Sequence, residues 1–430
     1  MTYPEALQFL YSQLPAYHRI GKAAYKNNLD NTILLDEHFR HPHRKFRSLH
    51  IAGTNGKGSV SHMAASILME AGYKTGLYTS PHLKDFRERI KVNGIMIPER
   101  EVTDFVEENF DFIRRIQPSF FEMTVAMAFD YFSRQKVDLA VVEVGLGGRL
   151  DSTNIITPVA SIITNIGHDH MDLLGNSLEK VATEKAGIIK ERVPVIIGET
   201  QPETEKVFIS KAGELHSDIT FSDRLFECSM EEIDDFKGER KFRITDKRTG
   251  KVWISGITPL GGDYQQKNLV TVASLFSRLQ SDFNCSDQNI TDGIMKVKDN
   301  TGLMGRWQIL GHDPLVVCDT GHNKEGLEYV VRQIKRIRKT VLRMVVGFVS
   351  DKDLSGVLPL LPKDAVYYFT KASVQRALDE NVLKKEAAAY SLHGESYPDV
   401  KAAFEAARKS ASESDMIFIG GSTFVVAEVV

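Results

Sequence analysis

The chain has 430 residues, of which 42% are hydrophobic and 26% are charged, which is ordinary for a globular protein and long enough for two domains. Its formal net charge of −3 argues against a nucleic-acid or membrane partner, because either would need a broad basic face. Three widely separated cysteines, Cys228, Cys285 and Cys318, show neither a metal-binding spacing nor a disulfide framework, so we expect buried free thiols.

The N-terminal segment lacks a basic stretch followed by an apolar core, so the sequence predicts no signal peptide. No apolar run approaches the roughly 18 residues that a membrane-spanning helix needs. Together with the unpaired cysteines, these features predict a cytoplasmic protein.

Short apolar runs alternate with longer helical patterns along the chain, which is typical of a mostly parallel sheet covered by helices. Their β-branched content suits strands that are covered on both faces. The predicted strands are Leu49–Ala52, Thr75–Tyr78, Leu139–Val144, Val159–Asn165, Val193–Gly198, Pro314–Cys318, Leu342–Gly347, Val366–Thr370 and Met416–Ile419.

Two segments interrupt this alternation. Residues 225–254 are charged with alternating apolar positions, and turns at 237–238 and 249–250 predict a small antiparallel insertion. A helix at Asn268–Leu279 is followed by polar residues, and a fresh strand–helix alternation begins after 299–305. The sequence therefore predicts one domain at residues 1–300 and a second at 301–430.

The segment after the first predicted strand has the composition of a phosphate-binding loop. Glycines let backbone N–H groups wrap phosphates, the following helix N-terminus favours negative charge, and a lysine reaches the terminal phosphates. The common eight-residue pattern is not fully matched, because Ile51 replaces its first glycine and Gly58 replaces its Ser or Thr. A plain glycine-rich turn is the alternative. The predicted ATP-binding residues here are Gly53, Thr54, Asn55, Gly56, Lys57, Gly58 and Ser59.

Metal-binding residue types stand at the ends of three other predicted strands. Glu143 ends an apolar strand, where Mg²⁺ ligands of nucleotide enzymes lie, and Ser80 follows another strand with a hydroxyl oxygen to offer. The run His168-Asp169-His170 predicts one ligand, because its spacing is too tight for all three to bind one tetrahedral zinc. A helix N-cap or solvated turn is the alternative for Glu143, and turn chemistry is the alternative for Ser80.

Together these segments resemble the folylpolyglutamate synthase and dihydrofolate synthase family, a branch of the Mur ligase superfamily. The matching motifs occur in the family's order across nearly the whole chain. They are HIAGTNGKGSV at 50–60, TSPHL at 79–83, EVGLGGRLDSTN at 143–154, ITNIGHDHMDLLG at 163–175, EKAGIIK at 184–190, Gln265…Asn268, Gly305-Arg306, Asp319…His322-Asn323 and GGSTFVVAEV at 420–429.

The resemblance implies an α/β fold in which a mostly parallel-sheet P-loop domain, of the Mur ligase central type, precedes a smaller Rossmann-like glutamate ligase domain. It implies a bifunctional enzyme that uses ATP to add L-glutamate to dihydropteroate or to the tail of a (tetrahydro)folate. The reaction passes through an acyl phosphate and releases ADP and phosphate. Two Mg²⁺ ions and a monomer are expected, and a need for a monovalent cation such as K⁺ is left open.

Roles for individual residues follow from the same resemblance. Ser80, Glu143 and His170 match the family's magnesium ligands. Lys185 matches the lysine that CO₂ carbamylates in this superfamily, a change that turns a cation into an anionic ligand with two oxygens. Lys57 matches the catalytic lysine on the β- and γ-phosphates.

The remaining matches concern ATP and folate. Asn268 and Arg306 match ATP-contacting positions, and the arginine offers charge to the phosphates. Asp319 matches the residue that binds the ribose, and His322 is expected to act in catalysis by helping to close the nucleotide site. The folate pocket is expected near Ser80–Leu83 and the loop 145–154. The residues named for it are Pro81, His82, Phe121, Glu122 and Arg149.

The chain departs from the family pattern at two places. Tyr264 stands where the family usually has His, and Thr320-Gly321 stands within a motif that usually reads Asp-Gly-Ala-His-Asn. Both departures affect the fine details of the adenine and ribose contacts.

Rival functions are a folylpolyglutamate synthase without the second activity, a Mur-type ligase of peptidoglycan precursors, a P-loop ATPase or kinase, and a nucleotide switch. The TSPHL and EVGLGGRLDSTN motifs favour the folate branch over the peptidoglycan ligases. An ATPase or kinase would need neither glutamate nor the Asp319…His322 motif.

Overall fold

A computed structural model describes residues 1–13, 28–234, 238–280 and 282–430. The chain divides into two compact units. Unit 1 comprises Met1–Ser229, Arg243–Gly256 and Gln266–Gly302, and unit 2 comprises Met230–Phe242, Ile257–Gln265 and Leu303–Val430.

Unit 1 is built on an eight-stranded sheet. Its strands are Arg47–Ala52 (β1), Thr75–Tyr78 (β2), Ile90–Val92 (β3), Ile95–Met96 (β4), Leu139–Glu143 (β5), Ala160–Ile163 (β6), Val195–Ile197 (β7) and Ile219–Phe221 (β8). They lie in the order β4-β3-β2-β5-β1-β6-β7-β8. The six strands from β2 to β8 in this order are parallel, and β3 and β4 add an antiparallel edge.

Helices cover this sheet. The helix after the glycine-rich loop buries every residue from Ser59 to Leu68, so it is enclosed on all sides rather than along one stripe. The helices up to residue 301 are Tyr3–Gln13 (α1), Asp30–His38 (α2), Lys57–Glu70 (α3), Glu99–Glu108 (α4), Phe110–Ile116 (α5), Phe120–Arg134 (α6), Met171–Leu174 (α7), Leu178–Ala186 (α8), Pro202–Glu214 (α9), Ser222–Leu225 (α10), Gln265–Leu279 (α11), Asp287–Met295 (α12) and Val297–Thr301 (α13).

The predicted insertion is present as a three-stranded sheet. Its strands are Phe226–Asp234 (β9), Glu239–Asp246 (β10) and Lys251–Thr258 (β11), in the order β11-β10-β9. Gly250 adopts the left-handed φ of 66° that suits its predicted turn. The turn predicted at 237–238 lies partly outside the described residues.

Unit 2 contains a six-stranded sheet of order β12-β13-β17-β14-β15-β16. These strands are Gln308–Gly311 (β12), Leu315–Cys318 (β13), Leu342–Val346 (β14), Val366–Phe369 (β15), Gly394–Ser396 (β16) and Met416–Gly420 (β17), and the helices are Lys324–Arg336 (α14), Glu380–Ala388 (α15), Val400–Lys409 (α16) and Thr423–Ala427 (α17). Only the β12–β13 pair is antiparallel among these strands. Alternate residues of β13 enter different hydrophobic clusters, so both faces of the sheet are covered.

The predicted α/β class is confirmed, and every predicted strand lies on an observed one. The strands missed by the sequence patterns are mainly short edge strands such as β4, β12 and β16, whose residues are exposed or partly exposed and form no long apolar run. The three cysteines are free, with Cys228 partly exposed rather than buried. Among the described residues, no helix has both the length and the apolar character needed to cross a membrane.

Candidate active site

Four adjacent parallel strands bring most of the predicted site of unit 1 to one edge of its sheet. β2, β5, β1 and β6 are neighbours, and their C-terminal ends lead to Ser80, Glu143, the loop 53–59 and residues 164–170. Ligands of open α/β sheets bind outside this edge. The structure therefore brings together segments that lie far apart in sequence.

The loop 53–59 has a shape that only glycine permits at two positions. Gly53 and Gly56 have φ angles of 146° and 87°. A Cβ atom on Gly53 would lie 1.8 Å from Thr164 Oγ1, and one on Gly56 would lie 2.3 Å from Asn268 Oδ1. Ile51, where the common pattern has glycine, is a fully buried residue of β1. The tight loop therefore starts at Gly53 and passes directly against Asn268, a predicted ATP residue.

Hydrogen bonds hold this loop to the end of β6. The N–H groups of Thr54 and Asn55 donate to Asn165, at 2.9 Å to its carbonyl and 2.9 Å to its Oδ1. Thr164 Oγ1 donates to the Asn55 carbonyl at 2.6 Å. The Lys57 ammonium donates to the carbonyls of Gly53 and Thr54 at 3.0 and 3.2 Å, so it folds back over the loop where phosphates would lie.

Ser80 and Glu143 are direct neighbours. The Ser80 N–H donates to Glu143 Oε2 at 3.2 Å, and the Glu143 side chain is buried at 4% exposure. Across the described ranges, no three His, Cys, Asp or Glu side chains are grouped to hold a metal ion. One carboxylate with a neighbouring hydroxyl fits Mg²⁺, which keeps several waters and binds through few protein carboxylates together with substrate phosphates.

Lys185 is the most perturbed lysine of the predicted site. It lies near the end of α8 and is only 4% exposed. Burial and the nearby Lys57 cation lower the pKa of Lys185 to about 7, although Asp169 and Asp151 act in the opposite direction. A substantial fraction of this amine is therefore uncharged at neutral pH, which is the form that reacts with CO₂.

The loop after Glu143 packs closely on the segment that carries Lys185. A Cβ atom on Gly148 would lie 2.8 Å from the Glu184 carbonyl oxygen, and one on Gly187 would lie 2.5 Å from Arg149 Cα. The exposed Arg149 side chain pairs with Glu184, with 2.9 Å between Nη2 and Oε1. The two glycines thus allow the backbone contact that holds Lys185 in place.

Asp151 organises the same loop and was not singled out from the sequence. It accepts hydrogen bonds from the N–H groups of Gly145 and Leu146 at 3.0 and 2.9 Å, and from the Thr153 hydroxyl at 2.5 Å. Burial raises the pKa of Asp151, and these hydrogen bonds oppose that shift. An Asp that caps its own loop has an ordinary turn composition, so only the tertiary structure reveals its burial.

Phe121, a predicted folate residue, and its neighbour Phe120 have different environments. Phe120 is buried at 3% exposure, whereas Phe121 is partly exposed and lies against Gly145, where a Cβ atom would be 2.4 Å from its ring. Glu122 forms a capping box at the start of α6, accepting from the Ser119 N–H at 2.5 Å. The folate roles of Phe121 and Glu122 stay predictions.

A buried arginine that the sequence patterns did not indicate lies beside His82. Arg89 is 4% exposed and donates from Nε to His82 Nδ1 at 2.7 Å, and its guanidinium lies 5.2 Å from the Phe120 ring centre. Because arginine can only donate, the neutral His82 ring carries its hydrogen on Nε2. That nitrogen lies 3.3 Å from the Tyr11 hydroxyl. His82 follows Pro81, which is exposed and joined to Ser80 by a cis peptide bond.

In unit 2, Asp319 is the centre of the predicted nucleotide residues. Its carboxylate is 2% exposed and accepts from the Tyr264 hydroxyl, the Trp307 N–H and the Gly321 N–H at 2.6, 2.7 and 2.7 Å. Burial raises the pKa of Asp319, which the hydrogen bonds partly offset, and burial with the Asp319 charge raises that of Tyr264.

Arg306 lies on the loop before β12, and His322 lies on the loop after β13. The Asp319 carboxylate links these two loops through its hydrogen bonds to the Trp307 and Gly321 N–H groups. Arg306 donates to the Gly305 carbonyl at 3.3 Å and also to the Thr320 hydroxyl. His322 Nδ1 lies 3.0 Å from the Thr320 carbonyl oxygen, so in the neutral ring Nδ1 carries the hydrogen. His170, in unit 1, is exposed and directly precedes α7, and its Nε2 lies 3.9 Å from Asp169 Oδ2.

Comparison with known proteins decides the family. Residues 51–276 match the Mur ligase middle domain, and residues 305–423 match the Mur ligase glutamate ligase domain. Over 442 aligned residues the chain is 32% identical to the dihydrofolate synthase/folylpolyglutamate synthase of Bacillus subtilis, covering 100% of this chain and 98% of that one. The chain belongs to the folylpolyglutamate synthase and dihydrofolate synthase family of Mur ligases.

Solved structures of this ligase family share the fold. Escherichia coli FolC in complex with DHPP and ADP aligns with a TM-score of 0.84 at 28% identity, covering 100% of this chain and 97% of that one. A bifunctional folylpolyglutamate synthase/dihydrofolate synthase with Mn, AMPPNP and L-glutamate bound aligns with a TM-score of 0.83 at 25% identity, covering 100% of this chain and 97% of that one. The present protein is accordingly an ATP-dependent, amide-forming ligase.

Proposed function

We propose that this ligase joins L-glutamate both to dihydropteroate and to the glutamate tail of tetrahydrofolate, with ATP as the energy source. The observation that carries the proposal is the sheet edge of unit 1, where the glycine loop, the Ser80–Glu143 pair and the buried Lys185 surround one region. The full-length similarity to an enzyme named for both activities supports the bifunctional form.

The reaction has two steps. An oxygen of the substrate carboxylate attacks the γ-phosphorus of ATP, and the bond from that phosphorus to the ADP oxygen breaks. The glutamate amine then attacks the acyl carbon, phosphate leaves, and the amine loses a proton. Because ATP and the acyl phosphate are both anhydrides and therefore already activated, the enzyme contributes chiefly by positioning and by stabilising charge.

The chain's own residues account for much of this stabilisation. The N–H groups of residues 56–58, at the start of α3, and the Lys57 ammonium bind the phosphates once Lys57 releases the loop carbonyls it now contacts. Ser80, Glu143 and His170 would hold Mg²⁺, whose positive charge would offset the negative charge of the phosphoryl oxygens. Asn268, Arg306 and Asp319 contact ATP, and His322 assists in closing the nucleotide site.

Lys185 serves as a carbamate in this proposal. Carbamylation requires an uncharged amine, and burial beside Lys57 lowers the pKa of Lys185 to about 7. The reaction joins the amine nitrogen to the carbon of CO₂ and releases one proton. The resulting anion would offset the Lys57 charge and supply two oxygens for a second Mg²⁺.

Other parts of the proposal rest on the family resemblance. Residues 1–300 act as the ATP-binding domain and 301–430 as the glutamate ligase domain. Pro81, His82, Phe121, Glu122 and Arg149 line the folate site. The enzyme works as a cytoplasmic monomer.

The deciding experiment measures phosphate release from Mg-ATP and L-glutamate, with dihydropteroate in one reaction and tetrahydrofolate in another, and identifies products by mass. Release and glutamylated product in both reactions would establish the bifunctional enzyme. Release with tetrahydrofolate alone would make it a folylpolyglutamate synthase, the single activity for which a 30% identical Lacticaseibacillus casei relative is named.

Release with dihydropteroate alone would restrict the enzyme to dihydrofolate synthesis. If neither substrate stimulated release by folded, ATP-binding protein, the folate assignment would be wrong, and UDP-linked peptidoglycan precursors would be the next substrates. The Lys57→Ala variant serves as the matched control for phosphate released by contaminants.

A further inference from the structure

The hydroxyl of Tyr264 contacts a residue of the proposed nucleotide site. It donates to Asp319 Oδ2 at 2.6 Å, and both residues belong to unit 2. The other two donors to this carboxylate, Trp307 N–H and Gly321 N–H, are backbone groups that most side chains at those positions would preserve. The Tyr264 contact is the one that depends on the identity of a side chain.

The three donors are divided unequally between the two oxygens of the Asp319 carboxylate. A carboxylate has four acceptor positions, two on each oxygen. Trp307 and Tyr264 both donate to Oδ2, whereas Gly321 donates to Oδ1. Oδ2 is therefore saturated, and one acceptor position remains on Oδ1.

The Tyr264 contact also restrains rotation of the carboxylate. Without the hydroxyl, Oδ2 would keep one donor and Oδ1 one donor, so the two oxygens would become equivalent in number of partners. Asp319 is 2% exposed, so neighbouring groups rather than solvent determine its orientation. Tyr264 directly precedes α11, which starts at Gln265.

We propose that Tyr264 is a positioning residue for nucleotide recognition: it saturates Asp319 Oδ2 so that Oδ1 accepts a hydrogen bond from a ribose hydroxyl of ATP. This inference rests on the proposed ATP role of Asp319 and extends it to a residue at which the chain departs from its family's usual His. The contact selects nucleotides that carry ribose hydroxyls, since an analogue without them leaves the Oδ1 position unfilled.

The test compares ATP with 2′,3′-dideoxyATP in wild-type protein and in Tyr264→Phe. Dissociation constants come from calorimetry and KM values from phosphate release with glutamate and the folate substrate. Wild-type protein is expected to bind ATP about tenfold more tightly than the dideoxy analogue, as for loss of one hydrogen bond to a charged group. In Tyr264→Phe this preference falls at least threefold, KM for ATP rises, and kcat at saturating ATP changes little.

A matched control removes another buried hydroxyl from unit 2. Tyr367 donates to the Pro362 carbonyl at 2.5 Å and belongs to no proposed site, so Tyr367→Phe should keep the wild-type preference. Equal weakening of ATP and the dideoxy analogue in Tyr264→Phe would show a general structural role and overturn the inference, as would a wild-type protein that did not distinguish the two nucleotides. Absence of turnover with folates would instead defeat the proposed function, and the calorimetric comparison would still test Tyr264.

Discussion

Acidification from pH 7.5 to 5.0 should destabilise unit 1 through a single buried histidine, His50. Its Nε2 lies 2.8 Å from Thr153 Oγ1, and that hydroxyl donates its own hydrogen to Asp151. Nε2 must therefore carry the imidazole hydrogen. Nδ1 is buried and has no hydrogen-bond partner among the described residues, so a proton added there would have no acceptor.

The magnitude follows from the two protonation equilibria. Burial, with a smaller effect of Lys190, lowers the pKa of His50 to about 3, from the 6.5 expected in an unfolded chain. Below pH 6.5 His50 is therefore protonated in the unfolded state but stays neutral in the folded state. The free energy of unfolding consequently falls as the pH falls from 6.5 towards 3. At pH 5.0 the loss from this residue is about 2 kcal/mol, and it grows until the pH approaches 3.

Urea denaturation at pH 7.5 and 5.0 measures this loss. Trp253 belongs to unit 1, so its fluorescence in a Trp307→Phe background reports on the unfolding of that unit. The comparison variant is His50→Gln, which cannot titrate in this range and can still donate to Thr153. In this Trp307→Phe background, the protein that retains His50 should lose about 2 kcal/mol more stability than His50→Gln between the two pH values.

Subtracting the two variants removes the effect of all carboxylates that titrate in both. An equal pH-dependent loss in the two proteins would refute the reasoning, because it would mean that His50 is protonated in the folded state or reaches water. A lower stability of His50→Gln at both pH values alone would not affect the conclusion, which depends on the difference in slope.

Three further predictions concern the sheet edge. Lys57→Ala should lower kcat for phosphate release on the order of 10²–10³-fold, because a charge directed at the transferring phosphoryl group is lost. Its circular dichroism spectrum should stay unchanged. A decrease in kcat of less than tenfold would contradict this role. Protein equilibrated with ¹³C-bicarbonate should show a carbamate carbon resonance that is absent from Lys185→Gln, and its presence in both would place the carbamate elsewhere. Gly148→Ala should destabilise unit 1 by about 1–3 kcal/mol in urea, because its Cβ would lie 2.8 Å from the Glu184 carbonyl oxygen. Gly213→Ala on α9, where nothing lies within 4 Å, should instead be neutral or stabilising by up to about 1 kcal/mol; similar losses at both glycines would rule out the steric explanation.

Local sequence was sufficient for the elements and motifs that depend on neighbouring residues. Apolar runs predicted the central strands, since a parallel strand covered on both faces must be apolar throughout. The glycine-rich segment after β1 predicted the tight loop at Gly53 and Gly56, because positive φ angles exclude most other residues. Short edge strands such as β4 and β16 escaped prediction because pairing with a neighbour, rather than composition, makes them strands.

Only the tertiary structure decided which distant residues meet and how their chemistry changes. Ser80 and Glu143 become neighbours because β2 and β5 are adjacent parallel strands. The order of strands in a sheet cannot be predicted from local sequence patterns. Lys185 has the composition of an ordinary charged helix end until burial beside Lys57 lowers its pKa. The sequence shows that Tyr264 departs from the family pattern, but only the structure shows its hydrogen bond to Asp319. Hydrogen bonds and pKa values depend on residues that come together only when the whole unit has folded.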